Sequence, residues 1–310
     1  MGSSPSFIRR PAPRHSGPPP VTALETTCEG VWLLQALCGV EMLPSPLLLR
    51  PYVTASGVPG SHPGIPVLRQ AGTLLDDDLT VHPSVARWIE TLGAPDIALC
   101  VDVRRGTEFM RLVVARRDTM HVAISRSGDK DADNVTIEDV GTVPSLRVLY
   151  ERILALCQRA REPIDAARFD PITVPSGDFV AGLGQVARGD HTPAVAFRGL
   201  GLTAQQRRIV LLAADAPQME ASFALLVHDA RGDHVALASA AVIDTDEGRI
   251  VIGPVRGQDG TWWTQLAPGT VDAGAGALRS LVATMGTTWA NHSRFSETGN
   301  SYVHGLPFLL

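Results

Sequence analysis

IALCVDVRRGTEFMRLVVARRDTMHVAISRSGDKDADNVTIEDV, residues 97–140, decides the fold class. Apolar and polar positions alternate in four runs, at 97–103, 109–115, 120–125 and 135–140. A period of two is the pattern of a strand with alternate side chains on opposite faces. The links are Arg104-Arg105-Gly106-Thr107, Arg116-Arg117-Asp118 and residues 127–134. They suit hairpins rather than crossover helices, so the runs pair as an antiparallel meander. Just beyond, Leu146, Leu149, Ile153 and Leu156 share one face of a helix predicted over 143–160.

Upstream, residues 1–23 are rich in Pro, Gly and Arg and are expected to be a disordered tail. Thr26 or Thr27 can cap a helix carrying Val31, Trp32, Leu34 and Leu37; a strand over 28–34 is the alternative. Pro44 and Pro46 force an extended stretch, and 47–52 reads as a short strand. Pro63 and Pro83 suit first helical turns, ending at Gly72 and Gly93. Downstream the order recurs, with helices at 176–186 and 203–213, strands at 221–228, 234–244, 249–253 and 262–266, and a helix at 271–285. The offset is roughly 125 residues, the mark of one supersecondary unit used twice. The expected fold class is therefore α+β: quasi-two-fold duplicated halves, about 24–165 and 166–287, each an antiparallel β-meander with flanking helices. Joined edge to edge they form one central antiparallel sheet, which removes two exposed edges, with helices covering one face. The whole of 24–287 reads as a single domain, and 288–310 as a loose C-terminal tail.

The chemistry of the chain is sparse. With 45% hydrophobic and 19% charged residues it is an ordinary globular sequence, and a net charge of −5 gives no reason to expect nucleic acid. Arg9-Arg10 precedes no apolar segment, and no run is long enough to span a membrane, so a cytoplasmic protein is expected. Cys28, Cys38, Cys100 and Cys157 have no metal-ligand spacing and read as reduced thiols. The nine histidines are scattered, although His228 and His234 can approach across a hairpin. Gly182-Leu183-Gly184 and Gly274-Ala275-Gly276 follow no strand and lack a third glycine, so they do not read as nucleotide loops. The two Arg-Gly-Asp triplets, at 188–190 and 231–233, are turn chemistry. No cofactor, metal or catalytic constellation is expected, which favours a binding module over an enzyme.

Several segments resemble the EspG family. Gly30-Val31-Trp32-Leu33-Leu34-Gln35-Ala36-Leu37 is similar to its opening G-x-W-x-L-Q-A segment, and Leu49-Arg50-Pro51-Tyr52-Val53 to the R-P stretch that follows. Ala86 to Asp96 and Val113 to Arg117 fall where the family places a helix and a hairpin. Val242-Ile243-Asp244-Thr245 with Gly248-Arg249-Ile250 resembles its V-D-T-x-x-G-R hairpin, and Ala267-Pro268-Gly269-Thr270 its step into the last helix. The resemblance covers about residues 25–286, in the family's order. It implies a cytosolic chaperone of mycobacterial type VII secretion, monomeric or weakly dimeric. Its partner would be a PE–PPE heterodimer, bound at the apolar tip of the PPE subunit, with no nucleic acid and no membrane insertion. It further implies contacts from the loop between the second and third strands, here Arg104, Arg105, Thr107 and Glu108, from the central sheet, and from the second-half helices, here Gln205, Gln206 and Arg208. The other readings are a self-associating scaffold of duplicated halves and an enzyme with its site between them.

Overall fold

The computed structural model describes residues 21–49, 61–128, 133–158, 162–215 and 217–295. The expected N-terminal tail lies almost wholly outside them. Strand β1 (Ala23–Thr26) leads into α1 (Cys28–Leu37). Thr27 Oγ1 accepts from the Gly30 N–H at 3.3 Å, capping one of the donors that a helix start leaves unpaired, and this favours the helix over a strand at 28–34. At four residues, β1 is too short for its period to show in the sequence. In place of a strand at 47–52 the chain makes a tight 3-10 turn at Ser45–Leu47, with Leu48 at φ 49°, and residues 50–52 lie outside the described ones. Pro46 sits in the first turn of that element, where its fixed φ and missing donor cost nothing.

Helices α2 (Gly64–Gln70) and α3 (Pro83–Gly93) precede the meander β2 (Ile97–Arg105), β3 (Glu108–Arg117), β4 (Met120–Gly128) and β5 (Asp133–Asp139). Then come α4 (Leu146–Gln158), β6 (Ile172–Pro175), α5 (Ser176–Ala187), α6 (Pro193–Ala196) and α7 (Ala204–Asp215). The second run of strands is β7 (Met219–Asp229), β8 (Gly232–Val235), β9 (Ala240–Thr245), β10 (Gly248–Arg256) and β11 (Trp262–Pro268), closed by α8 (Val271–Ala283).

All these strands form one antiparallel sheet in the order β1-β5-β4-β3-β2-β7-β9-β10-β11-β6, with β8 also on β7. The two meanders join at β2 and β7, in register from Ile97 opposite Val227 to Arg104 opposite Glu220. The single strand expected over 234–244 is interrupted. Both parts pair with β7, Val235 with Leu226 and Ala240 with Phe223, so four residues stand opposite two in a bulge.

Helices cover both faces, not one. On the first face α4 and α8 lie side by side across the seam, with Leu149, Ile153, Leu278 and Leu281 over Leu99, Val114 and Phe223. On the second face α1–α3 cover the first-half strands, placing Leu34, Leu68 and Trp88 over Ala98, Val113 and Ile124. There α5–α7 cover the second half, placing Phe179, Phe197 and Ile209 over Ile243, Ile250 and Leu266. The reason is in β3: Leu112, Val113, Val114 and Ala115 are buried in succession, and a strand apolar on both sides needs a layer on each.

The C-terminal segment also departs from expectation, because residues 288–295 are packed down. Trp289 and His292 are only 5% and 2% exposed. The Trp289 indole N–H donates to His121 Nε2 at 3.1 Å with the rings stacked, and His292 Nε2–H donates to the His228 carbonyl at 2.8 Å. Arg116 donates to the His292 carbonyl, and Asp96 accepts from the Asp118 N–H at 2.7 Å and the Arg294 N–H at 3.0 Å. Two anchors three residues apart in a polar stretch leave no periodic trace.

His121 makes this clasp sensitive to acid. Its Nδ1–H faces the Thr119 carbonyl at 3.1 Å, leaving Nε2 to accept from Trp289. Burial, aided by the Arg116 and Arg152 charges, pushes the imidazole down to about 4. The unfolded chain takes up this proton near pH 6.5 and the folded chain does not, so the contribution is complete above that value and lost as pH falls toward 4. The expected loss is on the order of 3 kcal/mol. Urea midpoints at pH 7 and pH 4.5 should differ widely in the parent and draw together in His121→Gln, which keeps an acceptor for Trp289 but does not titrate.

Candidate functional site

Between the two helix groups of the second face the cover over β7 and the Asp102–Arg104 end of β2 is incomplete, although Ala98 and Cys100 are buried and Ala224 and Leu226 pack against the α1–α3 core. Along β7, Met219, Ala221, Phe223, Leu225 and Val227 are buried, while Glu220, Ser222, Ala224, Leu226 and His228 are partly buried. On β2, Asp102 is half buried and Arg104 exposed. With α1–α3 on one side and α5–α7 on the other, this strip is the floor of a groove running along the seam.

The groove is polar at one end and apolar at the other. At the polar end Asp102 takes Arg104 at 3.1 Å and Arg111 at 3.6 Å, and the Arg111 guanidinium lies 5.1 Å over the Phe109 ring. Ser222 Oγ donates to Glu220 at 3.3 Å. Arg126 donates to the Leu47 and Leu48 carbonyls at 3.1 and 2.8 Å, holding the 3-10 turn and its exposed Leu48 at the rim. At the other end lie Ala224 and Leu226 with Val235 opposite Leu226. Ala236 and Ala238 pack into the core under α4 and α8, and Leu237 between them in the bulge is 63% exposed.

The strand register brings both predicted groups of site residues to the polar end. Arg104 faces Glu220, and Glu220 faces Ile243, next to the β9–β10 turn. Two strand spacings, about 10 Å, separate the β2–β3 turn from that turn. Their individual roles differ. Arg104, Thr107 and Glu108 are exposed. Arg105, one residue on, points to the opposite face, where it donates to the Cys157 carbonyl at 2.5 Å at the end of α4 and contacts Met219 Sδ at 3.1 Å. A cation there satisfies a carbonyl that the helix cannot. Beside it a cleft of about 360 Å³ is lined by Val103, Met110, Asn134, Leu156 and Cys157 among others. Burial raises the Cys157 thiol to about 12, so it stays protonated. Gln206 forms a capping box with Thr203, the Thr203 N–H donating to Oε1 at 3.1 Å and the Gln206 N–H to Thr203 Oγ1 at 3.2 Å. Arg208 pairs with Glu247 in the β9–β10 turn at 2.5 Å, and Gln205 is exposed.

Asp102, Arg111, Glu220, Ser222 and Leu237 were not singled out from sequence. The signal was present: charged and hydroxyl side chains alternate with apolar ones on strands that lie mid-sheet, so the second face there is not closed. His228 and His234 do not approach each other: the register sets His234 opposite Val227 and His228 opposite Asp233, on opposite faces, and each pairs with an aspartate, His228 with Asp233 at 2.5 Å and His234 with Asp229 at 2.9 Å. Asp229 also accepts from the Arg231 N–H at 2.7 Å, and Gly232 has φ 120°, so this Arg-Gly-Asp is a hairpin turn. Among the described residues no group of three or more His, Cys, Asp or Glu is placed to hold a metal ion. No described helix is long and apolar enough to cross a membrane.

Relatives fit this architecture. Over 283 residues the chain is 25% identical to the ESX-2 secretion-associated protein EspG2 of Mycobacterium tuberculosis, covering 87% of this chain and 99% of that protein. It is 30% identical over 149 residues to the ESX-5 secretion-associated protein EspG5 of the same species, covering 40% of this chain and 49% of the relative. The structure of the M. tuberculosis type VII secretion system chaperone EspG5, solved in complex with a PE25–PPE41 dimer, superposes with a TM-score of 0.73 at 21% identity, over 88% of this chain and all of that one. The model of the EspG family matches residues 27–280, and the chain belongs to that family.

Proposed function

We propose that this chain is a cytoplasmic, non-catalytic chaperone that holds a PE–PPE heterodimer for export by a type VII secretion system, with the seam groove as its docking face. The observation that carries this reading is the incompletely covered central strip in a fold shared with EspG5, a chaperone solved with a PE–PPE dimer. A floor with a charged end and an apolar end suits an apolar tip with a polar surround, the usual anatomy of a specific interface. Arg104, Thr107 and Glu108 at the β2–β3 turn and Gln205 on α7 would make direct contacts. Arg105, Gln206 and Arg208, through their intramolecular bonds, would hold those elements in place.

Co-expression with PE–PPE pairs followed by size-exclusion chromatography tests the reading. A stable 1:1:1 complex with one pair is the expected result. Failure with every pair from the same genome, by a folded and monodisperse chain, would move the weight to a self-associating scaffold. With the cognate pair in hand, Arg104→Glu should weaken the complex about tenfold, ~1.4 kcal/mol. Its effect on the urea midpoint should be small, because exposed ion pairs such as Arg104–Asp102 contribute about 0–1 kcal/mol.

A further inference from the structure

Among the described residues, Leu48, Leu79 and Asp118 are those other than glycine with a left-handed backbone, at φ 49°, 62° and 54°. With a Cβ this conformation is strained, and it persists only where the surroundings fix it. Asp118 closes the two-residue turn between β3 and β4, a place that aspartate tolerates. Leu79 is half-buried against the α1–α3 core, and the burial offsets its strain. Leu48 is 57% exposed and joins none of the three apolar cores. A single exposed leucine is ordinary on a protein surface, but one held in a strained conformation is not.

What the fold needs at position 48 is the turn. Leu47 before it is fully buried, and Leu49 after it packs against the α1–α3 core. Glycine would supply that turn without strain. Here polar bonds hold it instead: the Leu48 N–H donates to the Ser45 carbonyl at 3.0 Å, and Arg126 donates to the Leu47 and Leu48 carbonyls. Arg126 belongs to a row that crosses the sheet, Ser222 beside Asp102, Asp102 beside Arg111 and Arg111 beside Arg126. The Leu48 carbonyl thus rests on a side chain two strands, about 10 Å, from Asp102 at the polar end of the groove.

We infer that Leu48 is a contact residue of the docking face, a strained apolar side chain kept beside the polar end of the groove for an apolar group of the partner. The inference rests on the chaperone reading above. An exposed leucine that the fold strains and does not pack adds nothing to the stability of the free chain, and strain of this kind gathers at binding sites. An apolar contact flanked by polar groups, here Asp102, Arg104 and Arg111, is the setting in which a partner's side chain is cut off from water.

The test compares Leu48→Gly, Leu48→Asn and Leu48→Met with the parent in two measurements. The first is the urea midpoint with no partner present. Glycine and asparagine accept a left-handed backbone, so both midpoints should equal or exceed the parent's. A lower midpoint in both would show that the leucine serves the fold, and would overturn the inference. The second is affinity for the PE–PPE pair identified by co-expression. Leu48→Gly and Leu48→Asn should each weaken it by about tenfold or more. Leu48→Met, which keeps an apolar side chain of similar volume, should stay within about threefold of the parent. If the parent binds a pair and the glycine and asparagine variants bind it equally well, the inference fails and the chaperone reading stands. A folded parent that binds no pair removes that reading, and the inference with it.

Discussion

Arg249→Ala should destabilise the fold by about 3–5 kcal/mol, the range for removing one member of a buried ion pair. Asp244 and Arg249 are 2% and 4% exposed, and the guanidinium grips the carboxylate through Nε at 2.6 Å and NH2 at 2.9 Å. Without it Asp244 is left as an uncompensated charge. The same residue organises its surroundings. Its N–H donates to the Asp165 carbonyl at 2.7 Å, and its own carbonyl accepts from Ala167 at 2.9 Å and Gly269 at 2.7 Å. A side chain at Gly269 would run into Arg249 Cβ and Cγ. Thr245 and Gly248 close the turn, the Thr245 hydroxyl donating to the Gly248 carbonyl at 2.8 Å. The V-D-T-x-x-G-R motif thus reads as a structural clasp between β9, β10, the segment before β6 and the entry to α8. Urea unfolding measures the loss. Asp244→Leu together with Arg249→Met should recover most of it, since an apolar pair of similar volume replaces a buried ion pair at little cost. A double variant as unstable as the single one would refute the charge argument.

Gly274→Ala and Gly276→Ala, two residues apart on α8, should move stability in opposite directions. A methyl group on Gly274 would lie 2.0 Å from Tyr150 Cζ, with two further ring atoms within 2.5 Å. The ring cannot retreat: Tyr150 is 1% exposed and packs against Phe223 at 6.5 Å between centroids. Overpacking of this kind costs about 1–3 kcal/mol or more, exceeding the ~1 kcal/mol that alanine gains over glycine within a helix. Gly276 has nothing within 4 Å of such a methyl, so there the helix gain stands alone, up to about 1 kcal/mol. Midpoints that shifted the same way in both variants would mean that α4 and α8 do not approach at Gly274.

The central meander was legible because its signals are local: alternation from Ile97 onward and links too short for anything but hairpins. The junction of the two halves followed from the need to remove sheet edges. Helices on both faces were hidden, although Leu112 to Ala115 offered the cue. The bulge at 236–239 was hidden because Ala-Leu-Ala-Ser keeps the strand period while adding two residues. Of the proposed contact residues, those of the β2–β3 turn came from resemblance. That Arg104 and Arg105 must face opposite ways follows from the pleat alone. The anchoring of Trp289 depends on His121, 168 residues away, and no window of sequence contains both.

The seam between β2 and β7 also sets a schedule for synthesis. Arg105 and its contact Met219 are 114 residues apart, so β2 leaves the ribosome long before its neighbour exists. At about 5–20 residues per second the wait is roughly 6–23 s. During it a finished first meander presents the edge of an apolar strand, the kind of template on which nascent chains aggregate. The chain would thus itself pass through an interval when its own central strand stands unpaired.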